Sequence, residues 1–519
     1  MSAWDIYPRP QLKRASWQCL NGIWQVNGAH AYVPACRTEE KIEYVRDFEF
    51  TRTDDVVLLH FCAADQLAEV SLNGRYLGQH RGGYLPFTFD ISEAVAEGTN
   101  RLLVTVTDTL DHTYPYGKQR KDHGGMWYTP MSGIWQTVWI EQVPEGYIRS
   151  VRVTPDLYGA LFEVDCPQEA EIEILGKTYR TEGGRVRAEI EDPHLWTCGD
   201  PFLYTAFVRS GRDCAEVYFA LRTVDIRDID GISRVCLNGK PVFLHGVLDQ
   251  GYFSPGLMLP GDPAEYERDV LRVKSLGFNT IRKHIKIEPE AFYHACDRLG
   301  MLVIQDMVNS GDYSFFRDTL LGTIGAPVSD KGGRDPEREA FFTEHCRKTV
   351  EHLYSHPCIA VWTVFNEGWG QFDSDRHYRL FKEWDPTRLV DSTSGWFGKE
   401  LSDFDSRHIY FRTPAVKGPG KKGRPIFISE CGGYTLDVSG AKGKTYGYGK
   451  CAGSAELTEK ISSLYKKMII PAIGQGCCGC IYTQLSDIEE EINGLYSCDR
   501  SVCKVDRNAI SRLAEALLG

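Results

Sequence analysis

The sequence predicts a multidomain chain in which two β-sandwiches, the second immunoglobulin-like, precede a (β/α)8 TIM barrel. Three observations predict it. The chain has 519 residues, too many for one hydrophobic core when domains run to about 100–200 residues, so about three domains are expected. Short alternating or aromatic runs with turn punctuation continue to about residue 228. Beyond about residue 230, strand-like runs alternate with amphipathic helical ones.

The elements follow in order. Residues 1–143 carry DVVLLHF (55–61), AEVSLNG (68–74), RLLVTVTD (101–108) and IWQTVWIEQV (134–143), with turns such as Asn73-Gly74 between them. Strands at this spacing build an all-β sandwich. Residues 144–228 continue with SVRVTPD, FEVDC, AEIEIL, RVRAEIED and YFALRTVDI, enough for a small immunoglobulin-like sandwich. Residues 229–519 hold eight further strands: 242–247, 280–285, 302–307, 359–367, 388–396, 406–411, 424–430 and 477–485. Helical runs such as PAEYERDVLRVKSLG and EPEAFYHACDRLG lie between them. Eight strands over some 290 residues have the rhythm of a barrel, whose active sites lie at the C-terminal ends of the strands.

Composition narrows the function. Apolar residues are 42% and charged residues 25%, which excludes disordered and fibrous classes. The balance of 59 Lys+Arg against 71 Asp+Glu gives −12, against a nucleic-acid partner. MSAWDIYPRPQLKR offers no apolar signal core, and no apolar run suits a membrane span. Seventeen cysteines, an odd number, fit reduced thiols and a cytoplasmic location. Cys477, Cys478 and Cys480 lack paired zinc spacing and read as core thiols, so no metal is expected.

Polar residues gather at the strand ends: Asp306, Asn366 and Glu367, Trp396, His408 and Tyr410, and Glu430. HPCIAVWTVFNEGWG ends the fourth strand at Asn366-Glu367, and RPIFISECGGY ends the seventh at Glu430 before two glycines. An apolar strand ending in a carboxylate is a poor core choice unless the group faces a polar cleft. Two carboxylates across one mouth suit glycosidic bond cleavage, one giving a proton to the leaving oxygen while the other attacks or stabilises the anomeric carbon. The bland alternative is a pair of rim glutamates held by salt bridges.

These segments resemble glycoside hydrolase family 2, the family of β-galactosidases, β-glucuronidases and β-mannosidases. GGYLPFTFDIS (82–92) and WYTPMSGIWQTVWIE (127–141) look like its jelly-roll sugar-binding domain. PHLWTCGDPFLY (193–204) and ALRTVDI (220–226) look like its immunoglobulin-like domain. LNGKPVFLHGV (237–247), 276–306, 356–370 and PIFISECGGY (425–434) look like its barrel. The resemblance implies a retaining, exo-acting β-glycosidase with Glu367 as acid/base and Glu430 as nucleophile, needing no cofactor. It implies that Asn366 bonds the sugar 2-hydroxyl and that Tyr410 stands beside the nucleophile. His284 is either a sugar contact or a satisfied rim histidine. Asp306 is either a hydroxyl acceptor or a partner of Arg282 or Lys283. Trp396 is a candidate stacking platform, whereas Trp362, five residues before Glu367, falls on the other strand face and reads as structural.

The departures bear on the sugar. Where family β-glucuronidases grip a carboxylate with an Asn-x-Lys lysine, EEEINGLYSCDR (489–500) offers Asn493 after an acidic run. Such a run repels a sugar acid, so a neutral hexose such as β-galactose is the first expectation. A β-uronidase or β-mannosidase is the alternative, with Lys283, Lys286 and Arg412 as the candidate acid-binding cations. Tyr482 and Gln484 stand where relatives have a tryptophan, and Tyr482 is taken as a sugar contact. A catalytically silent carbohydrate-binding protein is the rival from another class. Trp127, Tyr128, Trp135 and Trp139 would be either its binding face or interdomain packing. The expected partner is a small β-glycoside or oligosaccharide, with a homo-oligomer possible by resemblance. The long loops 308–335, 412–424 and 434–455 are expected to shape the pocket.

Overall fold

The computed structural model describes residues 3–321, 329–410, 414–416, 418–438, 440 and 443–518. In the first domain a four-stranded and a six-stranded antiparallel sheet enclose one core. Alternation in the sequence sets the faces. Along Lys41–Phe50, Ile42, Tyr44, Phe48 and Phe50 are buried while Lys41, Glu43 and Glu49 are exposed. This strand pairs along its whole length with Gly98–Thr107.

The second domain sets a three-stranded sheet against a four-stranded one around Phe162, Ile172, Val208 and Val217. Sequence reading carries its last strand to Ile226, but the structure ends that strand at Phe219. Val224–Ile229 pairs instead with Ile232–Leu237 and Lys240–Pro241. Val224, Val235 and Leu237 pack with Leu244, Leu302, Ile304 and Phe427, so the small sheet closes the N-terminal end of the barrel. The apolar face of this strand needed a cover, and the barrel interior supplies it.

All eight expected barrel strands are present and parallel: β1 Leu244–Asp249, β2 Thr280–Lys283, β3 Leu302–Asp306, β4 Ile359–Asn366, β5 Leu389–Ser394, β6 Asp405–Ile409, β7 Ile426–Gly432 and β8 Cys477–Thr483. They are hydrogen-bonded in the order β5-β4-β3-β2-β1-β8-β7-β6. A seam remains between β5 and β6, where Ser394 Oγ and His408 Nε2 meet at 3.0 Å. No α-helix follows β5 or β6 among the described residues, contrary to the regular alternation expected from sequence. The segment after β6 is rich in glycine and proline, which do not sustain a helix; Phe411 and Arg412 lie outside the described residues.

Register sorts the barrel side chains. Val247, Ile281 and Val303 are paired neighbours that pack outward with Phe292, Cys296 and Val350. Alternation then turns Arg282, between Ile281 and Lys283, into the barrel. No helix among the described residues is long and apolar enough to cross a membrane.

Candidate active site

The inward positions at the strand ends form one polar cluster. At its centre is Arg282, whose side chain is fully buried. Its Nε donates to Asp306 at 3.0 Å. One terminal nitrogen donates to the Ser429 carbonyl and to Glu430 Oε1, both at 3.0 Å. The other donates to Asn366 Oδ1 at 2.9 Å and meets Asp306 Oδ2 at 2.9 Å. A planar guanidinium with five fixed donors suits this task better than a point-charge ammonium.

Glu430 also accepts a hydrogen bond from Tyr410 Oη, and His408 Nδ1 lies 3.5 Å from its Oε2. Burial alone would raise its pKa, but the charges of His408 and Arg282 and the Tyr410 hydrogen bond outweigh burial and bring it down to about 2. Glu430 is therefore an ionised carboxylate. Two glycines with φ of +85° and +70° follow, Gly432 and Gly433. A Cβ at Gly432 would lie 2.3 Å from the Tyr482 ring, so only glycine fits this turn.

Glu367 sits just past β4 with φ +52°, in the left-handed region that non-glycine residues seldom adopt. Its backbone N–H donates to the Ser394 carbonyl at 3.0 Å, which holds the strained residue in place. His408 Nδ1 is 2.7 Å from Glu367 Oε1. Glu367, His408 and Glu430 each offer a donor atom within 4.8 Å of the other two. Such a trio is also a possible metal grip, but Arg282 already supplies fixed positive charge to Glu430.

The expected contacts divide. Asn366 has its oxygen held by Arg282, which leaves its amide N–H groups to donate into the cleft. His284 Nδ1 meets Asp306 Oδ2 at 2.6 Å, and burial first of all pushes its pKa down. Asp306 is engaged by both Arg282 and His284, and the Arg282 charge overcomes burial to keep it ionised. It positions those two groups and offers no spare oxygen to a sugar. Trp396 is half-buried, donates to the Asp318 carbonyl at 3.0 Å and stands edge-on to His408 at 5.5 Å. Trp362 is structural, its indole bonded to Asp385 at 2.9 Å.

Tyr482 is a correction. Its register partners are Val247 and Cys431, and it is buried in the outer core with Cys480 and Tyr465. The next residue, Thr483, faces the site, with Oγ1 3.2 Å from Tyr410 Oη. Lys283 and Lys286 are corrected too: Lys283 is paired with Asp249 and Glu288, and Lys286 with Glu288 and two backbone carbonyls. Arg412 lies outside the described residues. Trp127, Tyr128, Trp135 and Trp139 are all buried, so they are packing and not an open binding face.

The acidic run is engaged by the first sandwich. Glu489 accepts from Thr129 N, Glu490 from Gly125 N, and Glu491 from Tyr128 Oη and Asn493. These carboxylates dock the first sandwich onto the barrel. Sequence reading left Arg282 only as a partner for Asp306 and gave His408 no role. The two-residue period was the available signal, since Arg282 shares a face with His284 and His408 with Tyr410.

Comparison with known proteins agrees with this architecture. Residues 27–144 match "Glycosyl hydrolases family 2, sugar binding domain", and residues 225–418 match "Glycosyl hydrolases family 2, TIM barrel domain". A β-galactosidase of Aeromonas hydrophila subsp. hydrophila is 27% identical over 379 residues, 64% of this chain and 34% of that protein. One from Pseudoalteromonas haloplanktis is 26% identical over 367 residues, 64% of this chain and 33% of its own. The aligned region thus spans about a third of the curated relatives. Among solved structures, a β-glucuronidase of an uncultured Clostridium sp. superimposes with TM-score 0.77 at 18% identity, covering 98% of this chain and 99% of that one. A family 2 β-galacturonidase from Eisenbergiella tayi bound to galacturonate gives 0.73 at 18%, covering 99% of each. At that identity the likeness is one of fold.

Proposed function

Because the chain belongs to glycosyl hydrolase family 2, we propose that it is a retaining exo-β-glycosidase acting on a terminal β-linked hexopyranose by double displacement. The observation that carries this reading is the pair of carboxylates, Glu367 and Glu430, with donor oxygens within 4.8 Å of each other. Retaining pairs stand about 5–5.5 Å apart, whereas inverting pairs leave about 6.5–9.5 Å for a water.

In the first step ionised Glu430 attacks the anomeric carbon while Glu367 gives its proton to the glycosidic oxygen, forming a covalent glycosyl-enzyme. In the second, Glu367 takes a proton from water, which attacks the same carbon and frees Glu430. Arg282 and Tyr410 aim the nucleophile. The Asn366 amide donates to the 2-hydroxyl, a bond that tightens as charge develops on the ring. No cofactor enters either step. Supporting groups around both carboxylates speak against a silent binding protein. Seventeen unpaired cysteines support a reducing, cytoplasmic setting.

β-Galactose is the first sugar to test, supported by the names of the curated relatives. A uronide is the second reading, suggested by the β-glucuronidase and the β-galacturonidase whose fold this chain shares. The experiment is hydrolysis of 4-nitrophenyl β-glycosides by wild type, Glu367→Ala and Glu430→Ala, with the first-formed anomer followed by NMR. A β-anomer product, with loss of turnover in Glu430→Ala, is expected. An α-anomer product, or full activity in the variant, overturns the reading.

A further inference from the structure

The first sandwich sends a loop between Asp108 and Gly133 over the barrel mouth. Tyr116 N and Gly117 N both donate to the Asn309 carbonyl, at 3.0 and 3.3 Å, and Tyr116 Oη donates to the Gly311 carbonyl at 3.0 Å. Gly117 has φ +70°, and a Cβ there would lie 3.1 Å from the Ile285 carbonyl and 2.9 Å from Tyr84 Oη. The loop is thus pressed against the residue that follows His284.

Lys118 comes next. Its carbonyl accepts from Tyr128 N at 2.9 Å, and its side chain is half-buried. Its ammonium has no hydrogen bond or ion pair among the described residues. The neighbouring cations differ: Arg120 is paired with Asp122 and lies over Trp127, and Lys121 is 3.8 Å from Glu40. The anions of the cleft are already engaged. Asp306 is held by Arg282 and His284, Glu430 by Arg282 and Tyr410, and Glu489 to Glu491 by the loop itself. Lys118 also acts on His284, where its charge adds to burial in disfavouring the imidazolium. Lys118 is thus a half-buried cation whose charge reaches a buried histidine, with no ion-pair partner among the described residues.

We propose that Lys118 reads an anionic substituent, a carboxylate or a sulfate ester, on the non-reducing sugar. This inference rests on the glycosidase reading and deepens it. With Nδ1 held by the Asp306 carboxylate, neutral His284 presents Nε2 as an acceptor for a ring hydroxyl. The Lys118 ammonium supplies the charge that a hydroxyl does not need. An anion in this cleft gains a charge-assisted bond at little cost, because the loop fixes the lysine backbone beforehand.

The test compares 4-nitrophenyl β-galactoside, β-galacturonide, β-glucuronide and sulfated β-galactosides on wild type, Lys118→Met and Lys118→Arg. At least one anionic substrate is expected to exceed the neutral galactoside in kcat/KM by about 10-fold or more, and Lys118→Met to remove that advantage chiefly through KM. The neutral substrate should change by less than about 3-fold, and Lys118→Arg should retain the preference. The carboxylate and sulfate arms tell which anion is read. Preference for the neutral galactoside, or equal losses on both kinds of substrate, overturns the proposal. If wild type hydrolyses none of them, the glycosidase reading fails separately. Calorimetry with galactose, galacturonate, glucuronate and galactose 4-sulfate then decides: an anionic sugar bound by wild type but not by Lys118→Met upholds Lys118, and equal binding overturns it.

Discussion

Arg282 donates to Glu430 Oε1 at 3.0 Å from inside the barrel, and the same guanidinium holds the Asn366 oxygen at 2.9 Å. One buried cation thereby fixes Glu430, the proposed nucleophile, and Asn366, the proposed 2-hydroxyl donor, in a single frame. Neither group can turn without breaking a bond to the other's support.

Replacing Arg282 should damage both chemistry and fold. Arg282→Met leaves Asp306 and Glu430 without their shared cation, a loss of about 3–5 kcal/mol when one partner of a buried pair is removed. Arg282→Lys keeps the charge but not the five-donor plane, so kcat should fall by about 10²–10³ with a smaller loss of stability. Denaturant melts and steady-state kinetics on both variants check this. A Lys variant with wild-type kcat would show that charge alone suffices.

The pKa of Glu430 sets a pH dependence with a definite sign. The folded value, about 2, lies below the ordinary 4.5. Its ionised form therefore stabilises the fold above about pH 4.5, and that contribution is lost as pH falls from there toward 2. Tyr410→Phe removes a hydrogen bond to the carboxylate and should raise the Glu430 pKa. The acid limb of kcat/KM should then move to higher pH, with kcat lower by about 10-fold or more. A pH profile from 3 to 8 on both proteins is the measurement, and coincident acid limbs would count against this role for the tyrosine.

Much of this was legible in the sequence because barrel strands announce themselves as apolar runs ending in polar residues. IAVWTVFNE and RPIFISE gave Glu367 and Glu430 directly. What strand periodicity could have added was the inward face of Arg282 and His408. The partners of the acidic run 489–491, Gly125, Tyr128 and Thr129, were hidden because they lie some 360 positions away along the chain. A contact between domains leaves no local pattern, and Lys118 escaped notice for the same reason.

Tyr482 and Thr483 give a paired test of strand face. Tyr482 Oη is buried on the outer side of β8 with no hydrogen-bond partner among the described residues. Tyr482→Phe should leave KM unchanged and be neutral or stabilising by up to about 1 kcal/mol, since it removes a buried unsatisfied hydroxyl. Thr483→Val keeps the shape but deletes the contact with Tyr410 at 3.2 Å, so it should lower kcat by several-fold with little change in melting temperature. A rise in KM for Tyr482→Phe would return that residue to the sugar site.

Glu491 links the sandwich loop to the barrel, accepting from Tyr128 Oη on one side and from Asn493 Nδ2 at 2.9 Å on the other. Asn493 in turn accepts from Gln484 Nε2 at 2.8 Å, just beyond β8. Glu491→Leu removes both acceptor oxygens, so Tyr128 and Asn493 lose their shared partner. The loop carrying Trp127 and Lys118 should then sit less firmly over the mouth. Because Glu367 and Glu430, the proposed catalytic pair, are held by Arg282, Tyr410 and His408 and not by this loop, the loss should appear in KM more than in kcat. A several-fold rise in KM with faster proteolysis within residues 112–131 is the expected outcome. A fall in kcat at constant KM would mean that the run acts on the chemistry itself.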